Sequence, residues 1–89
     1  MRIQLVKFGD VLMSRPSGGE ALKALRPRLQ NLRPDEKIEL DFTGVDVFTS
    51  SWGDEFLTPL FTEYPNRIVL LNAHNASVQE TLKILKLPH

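Results

Sequence analysis

The side chains of this chain best suited to chemistry are concentrated in one short stretch. Thr49-Ser50-Ser51 sets three hydroxyls in a row, followed by Trp52, Gly53, Asp54 and Glu55. Hydroxyls that open a helix do one of two things. They cap it, an N-terminal Ser or Thr contributing roughly 1 kcal/mol, or they accept a phosphoryl group, because unpaired N–H groups and the helix dipole favour an anion there. Trp52 has the large apolar body of an interface anchor, or it packs under the edge of a sheet. By residue type His74 could join Ser51 and Asp54 in a hydrolase triad, yet no spacing and no Gly-x-Ser-x-Gly elbow supports one. His74 and His89 have no ligand spacing around them, and the absence of cysteine excludes thiolate metal sites and disulfides. Arg15 with Gly18 and Gly19 makes a candidate anion loop over Arg15–Glu20, without a Walker or Rossmann pattern.

These residues need elements to hold them. Ile38, Leu40 and Phe42 alternate with Glu39 and Asp41, which predicts a strand running into a turn at Gly44. A helix follows from about Trp52 to Tyr64. Trp52, Phe56, Leu57, Leu60, Phe61 and Tyr64 fill one half of it, with Trp52 and Phe61 at the margins and partly exposed. Ser50 or Ser51 is then its N-cap, and Asp54 and Glu55 fall in its first turn. Before this, residues 2–8 alternate as a first strand, and Val11-Leu12-Met13 is either a short returning strand or the entry to a helix. That helix carries a Leu22, Leu25, Leu29 and Leu32 stripe behind a Ser17…Glu20 capping box. Pro27 and Pro59 are expected to bend their helices. Residues 67–71 are nearly all apolar, as in a strand covered on both faces or central in a parallel sheet. A last helix begins at Asn75 or at a Ser77…Glu80 capping box and buries Val78, Leu82 and Leu85. Strands alternating with helices predict a small α/β fold, a mostly parallel sheet in βαβαβα order, as one domain over residues 1–89.

Eighty-nine residues, 42% of them hydrophobic, leave stability to the core alone. Neither a membrane-length apolar run nor a signal-peptide core is present, so a soluble, cytoplasmic chain is expected. A net charge of zero argues against a nucleic-acid footprint. The charge is nevertheless segregated. Residues 1–34 carry seven Lys or Arg against two acids, residues 35–64 one against eight, and residues 65–89 three against one. Either these segments fold onto one another, or the acidic one forms a partner surface around the serines.

Asp-Phe-Thr-Gly-Val from Asp41 to Val45, a short spacer and Ser-Ser opening a helix resemble the STAS family, whose founding members are bacterial anti-sigma-factor antagonists. An aromatic and then an acidic residue after the serines is similar to the STAS-like branch of unknown function. Asn75, Val78 and Leu82 also match the family's last helix, and the resemblance runs over residues 37–87. It implies a βα-alternating fold with a phospho-acceptor serine at a strand-to-helix junction. Ser51 matches the acceptor and Ser50 its neighbour. Three positions depart: Thr49 replaces an acid, Trp52 replaces a glycine, and Asp54 and Glu55 would repel a phosphate. The partner implied is an anti-sigma factor or a related ATPase-kinase.

The expectation is therefore a non-catalytic bacterial interaction module without cofactor or metal, a monomer or weak homodimer, whose contact residues are Thr49, Trp52, Asp54 and Glu55. Two alternatives stand beside it. One is a constitutive scaffold without the phosphoswitch, and the other a small-ligand or nucleotide-binding domain using the Arg15–Glu20 loop.

Overall fold

The computed structural model describes residues 1–87, so His89 lies outside the described residues. Three strands, β1 (Arg2–Gln4), β3 (Ile38–Asp41) and β5 (Ile68–Leu71), form a parallel sheet in the order β1-β3-β5. Two shorter strands, β2 (Val11–Leu12) and β4 (Val47–Phe48), pair in parallel as a separate ribbon. Each short strand leads into a helix, β2 into α1 (Arg15–Leu29) and β4 into α2 (Ser50–Glu63). The chain thus builds the unit strand, short strand, helix twice. It then ends with β5 and α3 (Ala76–Leu85). This is the expected α/β alternation with a parallel sheet.

Register sorts the side chains. Ile3 pairs with Leu40, which pairs with Leu70, and Ile38 pairs with Ile68. Alternation places this set on one face of the sheet, where Ile3, Ile38 and Leu40 are buried with the helical residues Leu22, Leu25, Leu29, Phe56, Leu57, Leu60, Val78 and Leu82. Phe42 and Phe48 meet edge to face, and Phe48, Trp52 and Phe56 continue the aromatic cluster.

Several boundaries depart from expectation. The first strand stops at Gln4, and Leu5–Phe8 wind into a 3-10 turn. The turn seals Leu5 in the core and leaves Val6 and Lys7 outside. Helix α1 starts before Ser17. Ser14 is its cap, accepting the Ser17 N–H at 3.2 Å, and Pro16 sits in the first turn, where its fixed φ suits a helix and its missing donor costs nothing. Both α1 and α2 continue through their internal prolines. β5 lies at the sheet edge and its four residues are all half-buried, so its apolar run does not reflect a central position. Asn75, not Ser77, caps α3, accepting the N–H groups of Ser77 and Val78.

Opposite-signed segments do fold onto one another. Arg2 pairs with Asp41, Arg15 with Asp54 and Arg26 with Glu63, each joining the basic first third to the acidic middle. Among the described residues no helix is long and apolar enough to cross a membrane.

Candidate functional site

Pairing of β2 with β4 sets the N-termini of α1 and α2 side by side. Thr49 fastens them together. Its N–H donates to the Leu12 carbonyl at 3.0 Å, and its Oγ1 donates to the carbonyls of Met13 at 2.7 Å and Leu12 at 3.1 Å. The same Oγ1 accepts the Trp52 N–H at 3.5 Å, so Thr49 is the N-cap and Ser50 and Ser51 are the first two helical residues. This corrects the expected cap at Ser50 or Ser51. The threonine wins because its single hydroxyl proton also reaches the Met13 carbonyl just beyond β2, with the Leu12 carbonyl as the longer, shared contact. Both serine side chains are half-buried, and neither takes part in a hydrogen bond within the described chain.

The earlier helix start also moves Asp54 and Glu55 out of the first turn, which contains no acid. Across from them stands Arg15, whose Nη1 lies 2.8 Å from Asp54 Oδ2 and 3.9 Å from Glu55 Oε1. Asp54 accepts a second hydrogen bond from Thr58 Oγ1 at 3.0 Å. Arg15 first and Thr58 second hold the Asp54 carboxyl below its ordinary range. A guanidinium is therefore already in place against part of the charge of these two acids.

Trp52 requires a correction. Its side chain is 0% exposed, so it offers no surface to a partner in this structure. Helical spacing put it at the margin of the face toward the sheet, but α1 covers that margin. The indole stacks on Phe56 with centroids 4.7 Å apart, and its Nε1–H donates to Ser17 Oγ at 3.3 Å. Phe61, at the other margin, is half-buried as expected.

The Arg15–Glu20 stretch is not a loop. It forms the first turns of α1, and Gly18 is the point where α1 meets α2. A Cβ on Gly18 would lie 2.5 Å from the Trp52 carbonyl oxygen, whereas one on Gly19 would meet nothing within 4 Å. Gly18 is therefore a close-approach residue, and Arg15 is committed to the carboxylates of α2. His74 stands elsewhere, around a hollow of about 410 Å³ with Thr43, Asp46 and Asn75 at the C-terminal ends of β3 and β5. Among the described residues no hydrogen bond joins it to Ser51 or Asp54.

Sequence reading gave no role to Asp41, setting it with Glu39 on the face opposite Ile38, Leu40 and Phe42. Its side chain is 4% exposed. Its Oδ1 accepts from Asn72 Nδ2 at 2.9 Å, Thr43 Oγ1 at 2.7 Å and the Thr43 N–H at 2.9 Å, while Oδ2 faces Arg2 at 2.8 Å. Asn72, then Thr43, then Arg2 hold its carboxyl far below the usual carboxylate range. The spacing Asp41-x-Thr43 was the available signal, since an Asp that bonds the backbone two residues on marks an Asx turn. Val45 N–H then closes on the Phe42 carbonyl, with Gly44 at φ 85° in the position where such a turn needs glycine. The Asp-Phe-Thr-Gly-Val motif is thus a structural clasp that aims the chain from β3 toward β4 and the helix start.

This clasp, the strand β4 that follows it and the hydroxyls opening α2 lie within the reach of a single family. The family model described as a STAS-like domain of unknown function (DUF4325) matches residues 23–85. The chain belongs to this STAS-like family. The match begins inside α1 and takes in β3, β4, α2, β5 and α3, so Ser50 and Ser51 lie within it, whereas Arg15 and Gly18 precede it. No curated protein and no solved structure matches the chain.

Proposed function

We propose that this STAS-like chain is a non-catalytic interaction module. It presents the joined N-termini of α1 and α2, from Thr49 to Glu55, to a protein partner, and phosphorylation of Ser51 switches the contact. One observation carries the reading. Ser51 sits in the first turn of α2, with a hydroxyl that makes no hydrogen bond among the described residues, one turn before Asp54 and Glu55, which Arg15 of the neighbouring helix start holds. Two parallel dipole ends and a guanidinium favour a dianion on that hydroxyl, which would share Arg15 with Asp54. Ser50 is the neighbouring acceptor. By family resemblance the partner is an anti-sigma factor or a related ATPase-kinase.

The test is to incubate the protein with such a kinase and ATP, map phosphoserine by mass spectrometry, and measure partner binding of wild type, Ser51→Ala and Ser51→Asp by calorimetry. Phosphoserine at position 51, with binding lost in Ser51→Asp and kept in Ser51→Ala, is the expected result. No phosphoserine and equal binding by all three would refute the switch. If Asp54→Ala and Glu55→Ala then weaken binding, the surface acts constitutively through its acids. The half-exposed carboxylates that Arg15 holds in place favour that second reading.

A further inference from the structure

Ion pairing engages four of the seven Lys and Arg side chains in the first third of the chain, and two of the remaining three, Lys7 and Arg28, line one cavity, while Arg33 lies elsewhere. Arg2, Arg15, Lys23 and Arg26 each lie within ion-pair distance of a carboxylate. Among the described residues no carboxylate lies that close to Lys7 or Arg28, and both are exposed. Both line a cavity of about 330 Å³ between β1, the Leu5–Phe8 turn and the second half of α1. Arg2 stands on the same rim. No acid lines this cavity.

The lining of the cavity is mixed, with Arg2, Gln4, Lys7 and Arg28 supplying its polar side and Ile3, Phe8, Ala24 and Leu25 its apolar side. Ile3 and Leu25 close it at 3% and 2% exposure, and Ala24 and the half-buried Phe8 form its walls. Arg28 Nη2 donates to the Arg2 carbonyl at 3.5 Å, a long contact, and among the described residues neither its other N–H groups nor the Lys7 ammonium donates to a further acceptor. A planar guanidinium and an ammonium beside apolar walls suit an oxyanion carried on a hydrophobic body. The volume lies at the small end of ligand sites, enough for a ring and its charged head.

We propose that this groove is a binding site for a small amphiphilic organic anion, a phosphate monoester or carboxylate on an aromatic or aliphatic body. The oxyanion sits between Lys7 and Arg28, and the body rests on Ile3, Phe8, Ala24 and Leu25. The site lies toward the other end of α1 from Arg15, so it is independent of the Ser51 surface.

Nitrogen-15 amide shifts of the whole chain, titrated with phenyl phosphate, phenylacetate, inorganic phosphate and benzyl alcohol, test it. Either organic anion should give saturable shifts confined to residues 2–8 and 24–28, and the one that binds more tightly identifies the head group. Inorganic phosphate and benzyl alcohol should bind far more weakly, each having half of the chemistry. Lys7→Gln and Arg28→Gln should each weaken the organic anion by roughly tenfold, the scale of one charge-assisted hydrogen bond. Ala24→Phe should fill the cavity and abolish binding while both cations remain. All three positions lie at or near the surface, and an unchanged spectrum elsewhere verifies the fold of each variant. Absence of saturable shifts with both organic anions would overturn the proposal. So would equal affinity for inorganic phosphate, shifts centred on residues 50–55, or unchanged binding in the Lys7→Gln and Arg28→Gln variants.

Discussion

Gly18 and Gly19 sit next to each other in α1, and the structure assigns them different responses to the same substitution. A Cβ at position 18 would meet the Trp52 carbonyl oxygen at 2.5 Å and its C and Cα at 3.1 Å, and these atoms belong to the backbone. Ordinary contacts of carbon need about 3.5–4.0 Å, so the helices must separate by roughly 1 Å. They resist, because Thr49 ties the start of α2 to the end of β2 through its N–H and its hydroxyl. Overpacking of this kind costs roughly 1–3 kcal/mol. Alanine returns about 0.5–1 kcal/mol relative to glycine inside a helix, which leaves Gly18→Ala anywhere from neutral to destabilised by about 2.5 kcal/mol. Gly19→Ala meets no neighbour and retains the full gain of about 0.5–1 kcal/mol. Because the propensity term is common to both, the difference between the variants isolates the contact, at roughly 1–3 kcal/mol. Urea unfolding followed by the fluorescence of Trp52, the single tryptophan, measures it. In thermal melts each kcal/mol corresponds to about 4–8 °C for a chain of this size. Should Gly18→Ala prove as stable as Gly19→Ala, the close approach of α1 to α2 is wrong, and the joined helix N-termini with it.

Other perturbations probe the clasp and the caps. Asp41 has a depressed carboxyl in the folded state and an ordinary one, near 3.9, in the unfolded chain. The unfolded state therefore binds more protons in acid, so the Asp41 contribution is complete above about pH 4 and is lost as pH falls through the folded value. Asp41→Asn should be less stable at neutral pH and show a flatter acid limb in urea titrations from neutral pH into acid. Thr49→Ala should cost about 1–2 kcal/mol through the lost cap, whereas Ser50→Ala and Ser51→Ala should stay within about 0.5 kcal/mol of wild type, all read from urea midpoints. Asn75→Ala removes the cap of α3 and also the amide that donates to the Val45 and Asp46 carbonyls, so its melting point should fall by about 4–8 °C per kcal/mol lost. Arg15→Ala removes the first cause of Asp54's depressed carboxyl, and carbon-13 NMR titration should show that group moving up toward its ordinary value.

Local periodicity was enough to identify β3, α2, α3 and the alternation of strands and helices, because each depends on the spacing of its own apolar residues. Ile38, Leu40 and Phe42 had to share a face, and they do. The same holds for Val78 and Leu82, and for Asn75 as a cap. The family could also be read from the chain, since its motif is a local clasp of Asp41, Thr43 and Gly44. Two-residue strands leave little such signal. β2 and β4 show themselves only in the paired runs Val11-Leu12 and Val47-Phe48, each followed within two residues by the hydroxyl that caps its helix.

From composition and order alone the chain determines that it is α/β, that it must rely on its core, and that hydroxyls open its second helix. Tertiary structure decides which hydroxyl caps, that Trp52 is sealed, that Gly18 is a contact and not part of a loop, and that Asp41 is buried. Each of these depends on a neighbour at least 31 residues away along the chain: Leu12 and Met13 for Thr49, Ser17 for Trp52, and Asn72 and Arg2 for Asp41. The pattern of a segment records which of its faces is apolar. What comes to lie against that face is set by the packing of the whole chain.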